Sequence, residues 1–221
     1  MLAITTTIRK VSMKKIILIS TMCLSPLVSS FAQDVQFITT PLQAKNPEKV
    51  SGTLPFIQGK GFEKYNQNIH QEIAKKFDQP DWWISMEAKK IYQDANYLSY
   101  EMNYDISDFT TRHKSFYYTI DLKNKKNITL MQYLKHQHLS VEKIQNALIK
   151  FVKYCDQNTI DETCADPTLN NVSWGIDDYD FIFDLSKNPN FYLKKDIIGI
   201  GFEGSKYTYA FEYNLKTHQV Q

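Results

Sequence analysis

The fold class is decided by the stretch YLSYEMNYDI, residues 97–106. Every second residue from Leu98 to Ile106 is apolar or aromatic, and these residues share one face because side chains alternate along a strand. The residues between them are mostly polar. This pattern is typical of an antiparallel strand that buries one face. Residues 97–106 are therefore predicted to form the central strand of a sheet.

The flanking segments extend this strand into a meander. Residues 82–92 read as the preceding strand, and residues 94–96 have the composition of the turn that joins the two. A third alternating set lies at residues 116–122. Residues 123–127 are a polar turn, and residues 128–130 are predicted to return as a short strand. The middle of the chain is therefore expected to form an antiparallel sheet.

Two amphipathic helices flank this sheet in the sequence. Apolar residues recur every three or four positions at residues 62–77, ahead of Pro80, and again at residues 141–152, behind the favourable N-cap Ser140. Shorter strands are predicted at residues 53–57, 179–183, 190–193, 197–200 and 207–213. The predicted class is α+β, with one or more antiparallel sheets and two main helices packed on one face. A single domain is assigned to residues 50–217, after an extended lead-in at residues 33–49.

The N-terminus has the pattern of a secretory signal peptide, assigned to residues 1–32. Lys14 and Lys15 precede a short apolar run, and residues 30–32 place small side chains where a signal peptidase reads them. Translation from Met13 would retain the whole signal. The apolar run is too short and too interrupted to span a bilayer comfortably, although an N-terminal anchor is the alternative. We expect cleavage near Ala32 and a periplasmic or secreted chain with no membrane span.

Composition bounds the class of the mature chain. The 221 residues are 43% hydrophobic and 23% charged, which excludes wholesale disorder. The formal net charge of +2 comes from 26 basic and 24 acidic residues. Residues 1–32 hold four basic residues and no acidic one, so their removal leaves a net charge of −2. A slightly acidic chain favours a basic protein partner over nucleic acid.

Signal removal leaves two cysteines, Cys155 and Cys164. An even pair nine positions apart in an oxidising compartment is typical of a disulfide, which would contribute roughly 2–3 kcal/mol by loop closure. A metal site is the alternative, but the pair lacks CxxC spacing and a neighbouring histidine. No cofactor and no metal are expected.

The sequence contains no recognisable catalytic motif, since GxSxG, P-loop and HExxH patterns are all missing. His136 and His138 form an HxH pair on an expected loop, but a metal site needs a third ligand. Asp177, Asp178, Asp180 and Asp184 form an acidic cluster that is either a solvated loop or a surface for a basic partner.

Three tryptophans offer candidate contact residues. Trp82 and Trp83 are adjacent, so in a strand they point to opposite faces, and one of them can be exposed as a sugar-stacking platform or an interface anchor. A two-layer arrangement that buries both is the alternative. Trp174 is the third tryptophan.

Four segments in order resemble the extracytoplasmic domain family shared by the anti-sigma factor RsiV and the N-terminal part of the peptidoglycan deacetylase PdaC, a domain of unknown function. They are residues 54–69, 97–101, 116–130 and 183–202, within a resemblance that spans roughly residues 50–215. The sequence departs from the family pattern at residues 110–113 and 203–207, and both segments lie where a partner could be recognised.

The resemblance implies a non-catalytic α+β module, which in RsiV recognises lysozyme. We therefore expect an exported binding module that recognises or inhibits a lysozyme-like or amidase cell-wall hydrolase, or that contacts peptidoglycan. An immunity protein against a secreted toxin and a small hydrolase that uses His113 or the Asp177–Asp178 pair are the alternatives. The expected binding residues are Asp177, Asp178, Asp180, Trp83, Trp174, Lys206 and Tyr207.

Overall fold

The computed structural model describes residues 35–44, 46–76, 82–107, 110–158, 164, 183–203 and 208–221. Nine strands and three α-helices occupy these residues, together with a short 3-10 helix at Leu185–Lys187. In chain order they are β1 (Gln36–Pro41), β2 (Val50–Gln58), α1 (Glu63–Lys76), β3 (Trp83–Gln93), β4 (Tyr97–Ser107), β5 (Thr111–Asp121), β6 (Lys126–Asn127), α2 (Leu130–His136), α3 (Val141–Gln157), β7 (Asn190–Lys194), β8 (Ile197–Glu203) and β9 (Thr208–Asn214).

The strands form two sheets. One has six strands in the order β1-β2-β3-β4-β5-β6, and the other has the order β7-β8-β9. The α+β class is confirmed, but the large sheet is mixed and not purely antiparallel. Its β2 pairs in parallel with β3, where Val50–Gly52 lie opposite Ile84–Met86. The physical reason is α1, because a helical crossover between two strands returns the chain in the same direction.

The first hydrophobic core lies between α1 and one face of the large sheet. The alternating residues of β4 from Leu98 to Ile106 are all buried in it, as the sequence pattern predicted. From α1 it receives Tyr65, Ile69 and Ile73, and from the residue just before α1 it receives Phe62, which together form the stripe that the helical periodicity identified. Phe77, the last residue of that predicted stripe, lies outside the described residues.

A second core forms on the small sheet. Leu134 of α2 and Leu148 of α3 are fully buried there against Ile198 and Ile200 of β8. The expectation that two main helices share one face of a sheet is not confirmed, because α1 packs on the six-stranded sheet while α3 packs on the three-stranded one. No helix in the described part of the chain is long and apolar enough to cross a membrane.

Helix α2 is not predicted by the sequence pattern, which assigns residues 128–130 to a strand. That assignment is wrong because Thr129 is an N-cap: its side chain accepts from the Gln132 amide, and the Gln132 side chain accepts from the Thr129 amide. This reciprocal capping box starts a helix at Leu130. His136 consequently ends a helix and does not lie on a loop. Among the described residues no three side chains are placed to hold a metal ion.

The two sheets meet where β7 crosses the polar face of β4 and β5. Buried Ser99 and Thr119 sit opposite each other on β4 and β5, with their hydroxyl oxygens 2.9 Å apart. Ser99 accepts a hydrogen bond from the Leu193 amide, and Thr119 donates one to the Phe191 carbonyl. These contacts attach the backbone of β7 to the large sheet.

Side chains of the small sheet also accept hydrogen bonds from backbone amides on the outer edge of β5. The amides of Ser115 and Tyr117 donate to the side chains of Thr208 and Asn190 respectively. An unpaired strand edge invites pairing with another chain, and side-chain acceptors remove these donors from that role. Strand β1 and Val220 lie outside the range 50–217 that was predicted for the domain. Both nevertheless pair with residues inside it, β1 with β2 and Val220 with Tyr213.

The Cys155–Cys164 disulfide predicted from the sequence is present, with Cα atoms 5.3 Å apart. It holds buried Cys164 against the last turn of α3. Replacing both cysteines with serine is expected to lower the free energy of unfolding by about 2 kcal/mol, because the denatured chain regains the entropy of an open loop. Urea unfolding of the double variant and the oxidised wild type measures this difference, and equal stability would contradict the structural role of the disulfide.

Candidate functional site

A polar face of the large sheet lies opposite the first core. On β3 its side chains come from the positions between the buried ones, because Ile84, Met86 and Ala88 point into the core. The strand registers align these positions into rows across β3, β4 and β5. The rows are Trp83–Ser107–Thr111, Ser85–Asp105–His113 and Glu87–Asn103–Ser115.

We call these nine residues the open face. Further along the same strands, the polar side of β4 and β5 is covered by β7 at Ser99 and Thr119. The open face contains two carboxylates, Glu87 and Asp105, and neither lysine nor arginine. With His113 neutral it carries a net charge of −2. An acidic surface of this kind attracts a basic partner and repels an anionic one.

Trp83 stands at one corner of the open face and is 56% exposed. Its neighbour Trp82 packs against the first core, where the Arg112 guanidinium lies 5.0 Å from its ring. The two adjacent tryptophans therefore do point to opposite sides, and Trp83 is the exposed one. Burying a large aromatic side chain on contact with a partner is a common source of binding energy.

An aspartate–histidine pair lies in the second row. His113 Nδ1 is 2.6 Å from an Asp105 carboxylate oxygen, and the two residues face each other across the β4–β5 ladder. Both side chains are more than half exposed, at 56% and 59%. A carboxylate that accepts from Nδ1 orients a histidine as in a hydrolytic site.

The serine beside that histidine on β5 is not aligned as its nucleophile. Ser115 lies two residues along the same strand face, but its hydroxyl donates to Asn103 Oδ1 at 2.6 Å. A serine activated by histidine donates its hydroxyl hydrogen to the imidazole instead. A shallow cavity of about 240 Å³ beside these residues is also lined by Thr208. The geometry therefore orients a base without presenting the serine to it.

Of the seven expected binding residues, Trp83 is the one within the described chain. The other six lie outside the described residues: Asp177, Asp178, Asp180, Trp174, Lys206 and Tyr207. Residues 179–182 of the strand expected at residues 179–183 also lie outside them. Asp184, the last member of the predicted acidic cluster, caps the 3-10 helix by accepting from the Ser186 amide. The pKa of Asp184 is lowered by its hydrogen bonds with Ser186. It therefore has a local structural role.

Comparison with known proteins finds two solved structures that align along most of the chain at low sequence identity. No protein-family model matches the sequence, and no curated protein matches it significantly. A DUF3298 family protein from Pseudomonas aeruginosa PAO1 aligns with a TM-score of 0.44 and 8% identity, over 85% of this chain and 94% of that chain. A DUF3298 family member from Bacteroides fragilis aligns with a TM-score of 0.42 and 12% identity, over 85% and 93%. No functional inference rests on these two alignments.

Proposed function

We propose that this protein is an exported, non-catalytic binding module whose open face docks on a basic cell-wall hydrolase of the lysozyme type. The observation that carries the proposal is Trp83, a tryptophan exposed at the corner of a polar, acidic sheet face. The resemblance to the domain family of RsiV and PdaC, which includes a lysozyme-binding member, supplies the class of partner. The signal-like N-terminus supplies the compartment.

The charge of the open face favours a protein partner over peptidoglycan itself. Peptidoglycan carries carboxylates on its peptides, and Glu87 and Asp105 would repel them. A basic hydrolase presents lysine and arginine, which these two carboxylates attract. Charge pairs at the rim of an interface chiefly raise the association rate, whereas a desolvated aromatic anchor sets most of the affinity.

Trp83→Ala is expected to weaken binding to a purified basic muramidase at least tenfold, about 1.4 kcal/mol, because the variant loses the aromatic anchor. Biolayer interferometry with hen egg-white lysozyme and a panel of purified amidases measures the dissociation constant. Tyr154→Ala is the matched control, since Tyr154 is 45% exposed on α3, away from the open face.

Glu87→Gln with Asp105→Asn is expected to slow association with the same enzyme, because the variant loses both carboxylates that attract a basic partner. The association rate of this variant should also depend less on salt concentration than that of the wild type.

Two results would contradict the proposal. One is the failure of the wild-type protein to bind any enzyme of the panel. The other is that Trp83→Ala and Tyr154→Ala weaken binding equally, which would mean that the partner does not bind at the open face.

Two other functions use the same residues. An immunity protein against a secreted toxin would also present an inhibitory face, and a toxin in place of lysozyme in the same binding assay separates the two. The Asp105–His113 hydrogen bond favours a small hydrolase as the second candidate. Turnover of a peptidoglycan or ester substrate that disappears in His113→Ala would support that alternative.

A further inference from the structure

A second polar surface lies on the other side of the large sheet. A cleft of about 540 Å³ separates one face of α1 from the turn between β5 and β6. Lys64, Asn68 and Glu72 line the helix side at intervals of one turn. The complete lining consists of Gly61, Lys64, Tyr65, Asn68, Ile69, Glu72, Asn124, Lys125, Lys126 and Asn127.

The lining is cationic. Lys64, Lys125 and Lys126 supply three positive charges, and Glu72 is the one carboxylate among the lining residues. The chain as a whole is nearly balanced, with 26 basic and 24 acidic residues, so this excess is local. Like charges gathered around a cleft repel one another unless an anion lies between them.

A hydrogen-bond chain that begins in the core fixes the side-chain oxygen of the exposed residue Asn127. The Tyr65 hydroxyl donates to Asn127 Oδ1 at 2.9 Å and lies 2.8 Å from the Tyr100 hydroxyl. Since Tyr65 uses its hydrogen on Asn127, Tyr100 must donate to Tyr65. Both tyrosines are buried, so the Asn127 carbonyl oxygen is fixed and its NH₂ group is directed away from them. Asn127 also lines the cleft, so its NH₂ group is a candidate donor to a bound ligand.

Lys125 lines the cleft beside Gly61, and both residues have positive φ. Lys125 itself has φ of 53°, and Gly61 has φ of 85°. A Cβ atom on Gly61 would lie 2.3 Å from Lys125 Nζ, so the ammonium group occupies the space that glycine leaves. The ammonium also lies 5.9 Å from the centre of the Phe62 ring. Glu63, beside Lys125, is turned to the Gly61 amide, which donates to it at 3.3 Å.

We propose that this cleft binds a small oxyanion, a carboxylate or a phosphate group carried by a ligand of the cell envelope. Lysine ammonium groups and a fixed amide NH₂ are all donors, and charge-assisted hydrogen bonds to carboxylate or phosphate are the strong ones. Glu72, which accepts from the Tyr118 hydroxyl at 3.5 Å, also lines the cleft, where it would repel a second anionic group. The site is on the opposite face of the sheet from Trp83 and does not depend on the proposed function.

Side-chain amide resonances test the proposal directly. Titration of the protein with sodium acetate and with inorganic phosphate is followed by the NH₂ signals of Asn68 and Asn127 in nitrogen–proton correlation spectra. We expect these NH₂ signals to shift and to reach saturation as the anion is added. Sodium chloride at the same ionic strength should not produce these shifts. Saturation with acetate alone identifies a carboxylate site, and saturation with phosphate identifies a phosphate site.

Two variants assign the binding to this cleft. Lys64→Gln with Lys126→Gln is expected to weaken the anion at least tenfold, while Lys143→Gln with Lys150→Gln on α3 leaves it unchanged. Asn127→Asp keeps an acceptor for Tyr65 but replaces the NH₂ group with a negative oxygen, so it is expected to abolish saturation. Shifts that chloride reproduces, the absence of any shift, or unchanged saturation in Asn127→Asp would overturn the proposal.

Discussion

Gly199→Val is expected to lower the free energy of unfolding by about 3 kcal/mol or more, because the new side chain collides with a buried aromatic ring. A Cβ atom at this position would lie 2.0 Å from Tyr192 Cζ, far inside contact distance. Gly199 and Tyr192 are directly paired across the β7–β8 ladder, so neither can move without disrupting the small sheet. A glycine inside a strand often marks such a close approach.

The Tyr192 ring has no room to move away. Its other side packs on Tyr117 of β5, with ring centres 4.7 Å apart, and its hydroxyl donates to Glu212 at 2.6 Å. Burial and the carboxylate of Glu212 raise the pKa of Tyr192, so the phenol stays protonated and keeps donating. Burial alone would raise the pKa of Glu212, but hydrogen bonds from Lys194 and Tyr192 outweigh it and lower that pKa. The ring is thus fixed at both ends.

Urea unfolding monitored by circular dichroism measures the effect, and Ala210→Val is the matched control. Ala210 lies on the adjacent strand β9 but is exposed, so its replacement is expected to change stability by less than about 0.5 kcal/mol. Tyr192→Ser added to Gly199→Val should cost less than the sum of the two single changes, because it removes the colliding ring. A Gly199→Val variant as stable as the wild type would contradict the close approach.

Alternation along strands was enough to predict the first core. The alternation of residues 98–106 identified which side chains of β4 are buried, because a one-residue shift would have exposed every one of them. The helical spacing of residues 62–73 identified the apolar stripe that packs on them. The sequence pattern did not predict that a second hydrophobic core forms on a separate sheet. Ile198 and Ile200 alternate with Gly199, but their partners on α2 were hidden by the assignment of residues 128–130 to a strand.

The candidate site depended on facts that one sequence does not contain. Adjacency predicted that one of Trp82 and Trp83 is exposed, but the choice between them required the position of Arg112 on β5. His113 was singled out from the sequence without a partner. Asp105 lies opposite it only in one register of the β4–β5 pair, and register is set by the turn as well as by the hydrophobic pattern. The cleft beside α1 likewise requires the packing of a helix on a distant turn.

Ser99→Ala combined with Thr119→Val is the second large expected effect, a loss of about 2–6 kcal/mol in the free energy of unfolding. The two hydroxyls form a directed chain between two backbone groups of β7. Thr119 donates to the Phe191 carbonyl, so Ser99 must donate to Thr119, and Ser99 in turn accepts from the Leu193 amide. Removal of both hydroxyls leaves that carbonyl and amide buried without these partners, at about 1–3 kcal/mol each.

A matched control exists on the same pair of strands. Ser107 and Thr111 also face each other across β4 and β5, with hydroxyl oxygens 3.2 Å apart, but their pair is exposed to solvent. Ser107→Ala with Thr111→Val is therefore expected to change stability by less than about 0.5 kcal/mol, because water replaces the lost partner. Equal losses in the two double variants would mean that the buried hydroxyls are not what joins the sheets.

The single variants separate the two ends of the chain of hydrogen bonds. Thr119→Val removes the donor to Phe191, and Ser99→Ala removes the acceptor for Leu193, so each is expected to cost about 1–3 kcal/mol. Each single change also takes one partner from the remaining hydroxyl, so the two single losses should sum to more than the loss in the double variant, with a coupling of at least about 0.5 kcal/mol. The rate of hydrogen exchange at the Leu193 amide directly measures the hydrogen bond from that amide to Ser99. Faster exchange there in Ser99→Ala, with unchanged exchange in Ser107→Ala, is the result that assigns the junction of the two sheets to this buried pair.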